Sequence, residues 1–136
     1  MVQFSNRQGA GRQLAKMLKE KALDDPVVLA LPRGGVPLAV VVAEELNAPL
    51  DLVFVRKIGH PLHPEYAIGA LTEEEAPILH PDESRSIDQS WLENQISELR
   101  LENRKRRKKY LSGQPQIPLT DRTVILVDDG IATGFT

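Results

Sequence analysis

Two adjacent acids, Asp128 and Asp129, directly follow an apolar run at 124–127, and behind them comes a loop of small and hydroxyl residues, Gly130-Ile131-Ala132-Thr133-Gly134-Phe135-Thr136. An apolar run without polar alternation reads as a parallel strand covered on both faces. The acids then stand at its carboxyl end, the edge at which open α/β sheets bind ligands. In Gly130, Ile131, Ala132, Thr133, Gly134 and Thr136, tight turning lets backbone N–H groups and two hydroxyls converge on a phosphate. Carboxylates beside such a cradle suit a ligand that carries ribose hydroxyls as well as phosphate. The plainer alternative is a strand ending in a polar turn, for which Asp-Asp-Gly is good chemistry. Hydrophobic strand, paired acids and Thr-Gly-x-Thr in that order favour the binding loop.

Two further groups of residues point to the same kind of ligand. Pro32-Arg33-Gly34-Gly35 follows a second short apolar run, 27–31. Successive glycines at a strand's carboxyl end allow backbone N–H groups to come close to a ligand, and Arg33 adds a bidentate clamp for phosphate. Standing alone, the turn also fits a simple strand-to-helix connection. Arg56 and Lys57 close a third predicted strand, 51–57, and place two cations at the ligand edge of a slightly acidic chain. Their alternative is a solvated strand end.

The stretch 124–136 resembles the signature of the type I phosphoribosyltransferases. The resemblance implies that Asp128 and Asp129 hold the ribose hydroxyls of phosphoribosyl pyrophosphate while Gly130, Ile131, Ala132, Thr133, Gly134 and Thr136 wrap its terminal phosphate. It likewise assigns Arg33, Gly34 and Gly35 to the pyrophosphate, and Arg56 and Lys57, from their charge and place alone, join them as candidate substrate-binding residues. The implied cofactor is Mg2+, carried mainly on donor oxygens and water, with Asp128 and Asp129 as indirect or weak ligands. The implied reaction is a glycosyltransferase step of nucleotide metabolism, in which a small nitrogenous acceptor displaces pyrophosphate. Residues 57–70 are similar to a subgroup of uncharacterised phosphoribosyltransferases, which leaves the acceptor unnamed. The fold implied is a three-layer α/β domain around a mostly parallel sheet. Family members continue beyond the signature through a helix, a strand and a hood. The expectation is therefore an incomplete single domain, 1–136, whose signature strand has an apolar edge suited to a homo-oligomer and whose terminal carboxylate at Thr136 opposes phosphate. The alternatives are a noncatalytic module that binds or senses the donor and an inactive fragment.

These residues need elements to hold them. Ser5-Asn-Arg-Gln8 has capping-box spacing, and Ala10, Leu14, Met17 and Leu18 recur at helical intervals, predicting an amphipathic helix over 6–23. A buried strand over 27–31, a helix from about Pro37 to Leu46 and a strand over 51–57 make a parallel βαβ unit. Residues 58–120 are too many for a plain connection and are expected to form a lid or insert. Within them, 66–71 reads as a third parallel strand and 77–80 as a short hairpin partner. His60, His63 and Glu65 invite a metal reading, but the interleaved prolines make an extended loop the better one.

Ser90-Trp-Leu-Glu93 reads as a second capping box, opening a helix to about Leu111, with 112–118 as a linker. The basic run Arg104-Lys-Arg-Arg-Lys-Lys109 near its end could serve nucleic acid or a lid over polyphosphate. Its plainer role is to offset the helix dipole, with Glu102 pairing to Arg106. Aromatic residues are only 4% of the chain, so stacking on bases finds few partners.

Composition narrows the remaining classes. A net charge of −2 over 136 residues gives no general attraction to nucleic acid or anionic membrane, so phosphate binding must be local. With no cysteine, disulfides, thiolate metal sites and thiol nucleophiles are excluded. The polar start and the absence of a long apolar run predict a cytoplasmic protein.

Overall fold

Asn6 opens the first helix: its side-chain oxygen accepts the Gly9 N–H at 2.7 Å. In a computed structural model of the chain, which describes residues 6–130, helix α1 then runs Arg7–Lys19. The predicted helix was longer; the chain leaves it because Ala22 and Asp25 take left-handed φ values, which a right-handed helix does not accommodate. The described residues divide into two compact units, one of 6–53 with 115–130 and one of 54–114.

The first unit is a parallel sheet with helices. Strand β1 (Pro26–Ala30) leads into α2 (Gly35–Leu46), which ends where Asn47 adopts a left-handed cap. Next comes β2 (Leu50–Leu52), and after the excursion through 54–114 comes β6 (Thr123–Val127). The order is β2-β1-β6, both pairings parallel, with Ala30 opposite Leu52 on one side and Val127 on the other. Val28, Ala30 and Val127 face Ala10, Ala15, Leu38, Ala39, Val42 and Ala43 of the two helices, forming the unit's core. Gly11 allows this close packing, because a Cβ there would lie 2.9 Å from Val41 Cβ and 3.1 Å from the Leu38 carbonyl oxygen.

On the opposite sheet face, the buried Asp51 accepts the Ile117 N–H at 2.9 Å and so ties 115–122 across the sheet. The expectation of helices on both faces is met on one only among the described residues. Val124 and Leu126 of β6 stay 41% and 56% exposed, and β6 pairs with β1 alone among these residues.

The second unit contains an antiparallel sheet in the order β3-β4-β5, formed by Arg56–Gly59, Ala67–Leu71 and Ile78–Leu79. A short helix α3 (Pro81–Arg85) and the long α4 (Gln89–Leu111) follow. Ile58, Ile68 and Leu71 pack with Ile87, Leu92 and Leu99 as its core. Three sequence expectations change here. The strand predicted over 51–57 breaks in two: after Leu52 the chain turns out of the parallel sheet, and Phe54 is fully buried against Tyr110, ring centroids 6.0 Å apart. The strand expected to be the third parallel one is antiparallel to β3, because residues 60–66 are too few for a parallel crossover. The hairpin partner at 77–80 is present as β5. The cap of α4 is Asp88, whose carboxylate accepts the Trp91 N–H at 3.1 Å, not Ser90.

Candidate functional site

The two motifs of the first unit leave the sheet side by side. Strands β1 and β6 are parallel neighbours in register, and the Leu31 N–H continues the ladder to the Val127 carbonyl at 3.0 Å. Arg33-Gly34-Gly35 and Asp128-Asp129 therefore emerge next to each other at the carboxyl edge. The Pro32–Arg33 peptide is cis, and the Gly35 N–H donates to the Leu31 carbonyl at 3.0 Å to start α2. At both glycines space is the constraint and not backbone conformation, since Gly34 has an ordinary helical φ of −63°. At Gly35 a Cβ would press on the Val127 carbonyl oxygen and on Asp128 Cα. At Gly34 it would overlap the Asp129 carboxylate itself. The acid of one motif thus rests directly over the glycine of the other.

The two acids are held differently. Asp128 is half-buried, and its Oδ1 accepts the N–H of Asp129 at 2.8 Å. Asp129 is exposed, and its Oδ2 meets Arg7 Nη2 at 3.5 Å. Arg7 had no signal in the sequence: it lies at the far end of the chain from Asp129, and only the packing of α1 on α2 delivers it. Gly130 is exposed. Ile131, Ala132, Thr133, Gly134 and Thr136 lie outside the described residues. Arg33 is exposed on the turn.

Arg56 and Lys57 belong to the second unit, where they open β3 instead of closing a parallel strand. Arg56 pairs with Glu102 at 3.0 Å, the acid expected to pair with Arg106, while Lys57 is exposed. The basic run on α4 is largely drawn into holding the unit together. Arg104 grips Glu74 at 3.2 Å and Arg106 lies 5.1 Å over the Phe54 ring. Arg107 bonds Glu73 at 2.7 Å with both side chains buried. The His60 and His63 rings lie tilted by 33°, centroids 5.5 Å apart, in the β3–β4 loop. Among the described residues no three His, Cys, Asp or Glu side chains gather as a metal shell. The Asp128–Asp129 pair does suit magnesium, which takes one or two protein carboxylates and fills its other positions from phosphate and water.

A family model for the phosphoribosyl transferase domain matches residues 3–136. The chain belongs to this family. It is 44% identical over 138 residues to two Mycobacterium tuberculosis proteins provisionally named as phosphoribosyl transferases, MT0597 of strain CDC 1551 and Rv0571c of strain H37Rv. All of this chain aligns, covering 31% of each relative, so it spans about a third of their length. It is also similar to the crystal structure of TT1426 from Thermus thermophilus, with a TM-score of 0.83 and 45% identity over 98% of this chain and 64% of that one. An α/β fold with a parallel sheet and flanking helices is what these likenesses share with the first unit described here. Among the described residues, no helix is long and apolar enough to cross a membrane.

Proposed function

We propose that the carboxyl edge of β1 and β6 binds phosphoribosyl pyrophosphate and that the protein transfers its phosphoribosyl group to a nitrogenous acceptor. The observation that carries this reading is the in-register pairing of β1 with β6, which stacks the Asp129 carboxylate on Gly34. Asp128 and Asp129 accept the ribose hydroxyls. Arg33 and the Gly34 N–H receive the pyrophosphate, Gly35 lets the backbone come close without a side chain while its own N–H stays on the Leu31 carbonyl, and 130–136 receives the 5-phosphate. As the bond from the anomeric carbon to pyrophosphate breaks and a bond to the acceptor nitrogen forms, positive charge grows on the ribose ring. Two carboxylates fixed beside that ring stabilise it, the electrostatic preorganisation that accounts for most of such catalysis. Magnesium bound with the donor offsets the charge of the departing pyrophosphate. The exposed Val124 and Leu126 support self-association along β6, which sedimentation at increasing concentration would reveal.

The test is calorimetric titration of phosphoribosyl pyrophosphate with magnesium into the protein and into Asp128→Asn/Asp129→Asn. Uptake of donor by the first and its loss in the second is expected. A folded protein that takes up no donor would sink the reading. Donor binding without turnover across a panel of nitrogenous acceptors would turn it into the noncatalytic module.

A further inference from the structure

We propose that Arg7, on the first turn of α1, is a positioning residue for Asp129, an inference that rests on the donor-binding reading above. Asp128 and Asp129 are consecutive carboxylates facing a ligand that brings several negative charges of its own. Asp128 is steadied by a backbone N–H, with Asp129 N–H to Oδ1 at 2.8 Å. For Asp129 the cation on Oδ2 comes from another element, Arg7 Nη2 at 3.5 Å. That contact holds the carboxylate over Gly34, where a side chain at position 34 would have to stand.

The delivery of Arg7 is built into the first unit. Asn6 caps α1 through the Gly9 N–H at 2.7 Å, fixing the turn that carries Arg7. Gly11 lets α1 press against α2, a Cβ there being 2.9 Å from Val41 Cβ. The helix against which α1 lies is the one whose amino end is Gly34-Gly35. The same packing thus sets Arg7, the glycine turn and Asp129 together. Arg7 orients the carboxylate toward the ribose hydroxyls. Because the side chains are 63% and 43% exposed, water screens the pair and the effect is modest.

The experiment titrates phosphoribosyl pyrophosphate with magnesium, and separately inorganic pyrophosphate with magnesium, into the protein, Arg7→Ala and Arg7→Lys. Arg7→Ala is expected to weaken phosphoribosyl pyrophosphate about threefold to fivefold, the scale of one exposed ion pair, and Arg7→Lys to restore it to within about twofold. Pyrophosphate affinity should stay unchanged, since that ligand lacks the ribose that Asp129 grips. An unchanged affinity for the full donor in Arg7→Ala overturns the proposal, as does a loss that lysine fails to restore. An equal loss for pyrophosphate also overturns it, because Arg7 would then be a phosphate ligand. If the unsubstituted protein takes up no donor, the donor reading falls and this inference with it; donor uptake that ignores Arg7 removes only the role of Arg7.

Discussion

Alanine at Gly35 and alanine at Gly34 add the same methyl group to adjacent residues, yet the surroundings predict opposite outcomes. At Gly35 the new Cβ would lie 2.5 Å from the Val127 carbonyl oxygen and 3.0 Å from Asp128 Cα. Both are backbone atoms of the neighbouring strand, and Val127 is paired to β1, so relief requires prying β6 away from α2. Overpacking of this kind costs about 1–3 kcal/mol. The better helix propensity of alanine returns up to about 1 kcal/mol, and less at a first helical position. The net loss is about 1–2 kcal/mol. For 136 residues the unfolding entropy is about 0.3 kcal/mol per degree, so the melting midpoint should fall by about 3–7 °C. At Gly34 the three atoms nearest the new Cβ all belong to the Asp129 carboxylate, an exposed side chain that can rotate aside. Stability should then stay within about 0.5 kcal/mol, while the carboxylate loses its seat and its contact with Arg7, weakening donor binding. Differential scanning calorimetry on both variants, with donor titration of each, checks the pair of outcomes. If Gly34→Ala melts at or below Gly35→Ala, the reasoning about which neighbour can yield is wrong.

Two further outcomes test the scaffold. Glu73→Gln leaves the buried Arg107 guanidinium facing a neutral amide in place of a carboxylate at 2.7 Å, and breaking a buried pair on one side costs about 3–5 kcal/mol; thermal unfolding should show a midpoint about 10 °C or more lower, and a shift under about 3 °C would refute the pair's structural role. Asp51→Ala removes the acceptor of the Leu52 and Ile117 N–H groups, at 2.8 and 2.9 Å, and should cost about 1–3 kcal/mol in urea denaturation, accompanied by faster amide exchange at Ile117.

The site was more legible than the scaffold, and the reason lies in how each is encoded. Asp128-Asp129 and Arg33-Gly34-Gly35 are local: each follows a short apolar run, and residues at the end of a parallel strand can be placed from sequence without knowing its neighbours. That β1 and β6 are adjacent could be expected only from the resemblance, because the whole of 33–123 lies between Pro32 and Val124 and no periodicity spans it. The run 51–57 misled for a related reason. Asp-Leu-Val-Phe-Val-Arg-Lys reads as one strand, but Phe54 gains more from full burial beside Tyr110 and the Arg106 guanidinium than from continuing the sheet. Such a preference is set by residues on α4, far along the chain, and a local window does not contain it.

Arg7 shows the same limit from the side of function. Its type and neighbours mark it only as the solvent-facing first residue of an amphipathic helix, and most such arginines do nothing beyond keeping a helix in water. What changes its meaning is Gly11, one turn further along the same helix. Glycine inside a helix costs about 1 kcal/mol against alanine, so its use there calls for a packing reason. The reason is the approach of α2, with Val41 Cβ and the Leu38 carbonyl oxygen at the position a methyl would take. Gly11 meets α2 at Leu38 and Val41 while Lys19 pairs with Glu45, so the two helices run the same way and the amino end of α1 comes to the edge where α2 begins, beside Gly34. Gly11 is what permits the contact, and the arginine one turn earlier is what the contact carries to Asp129.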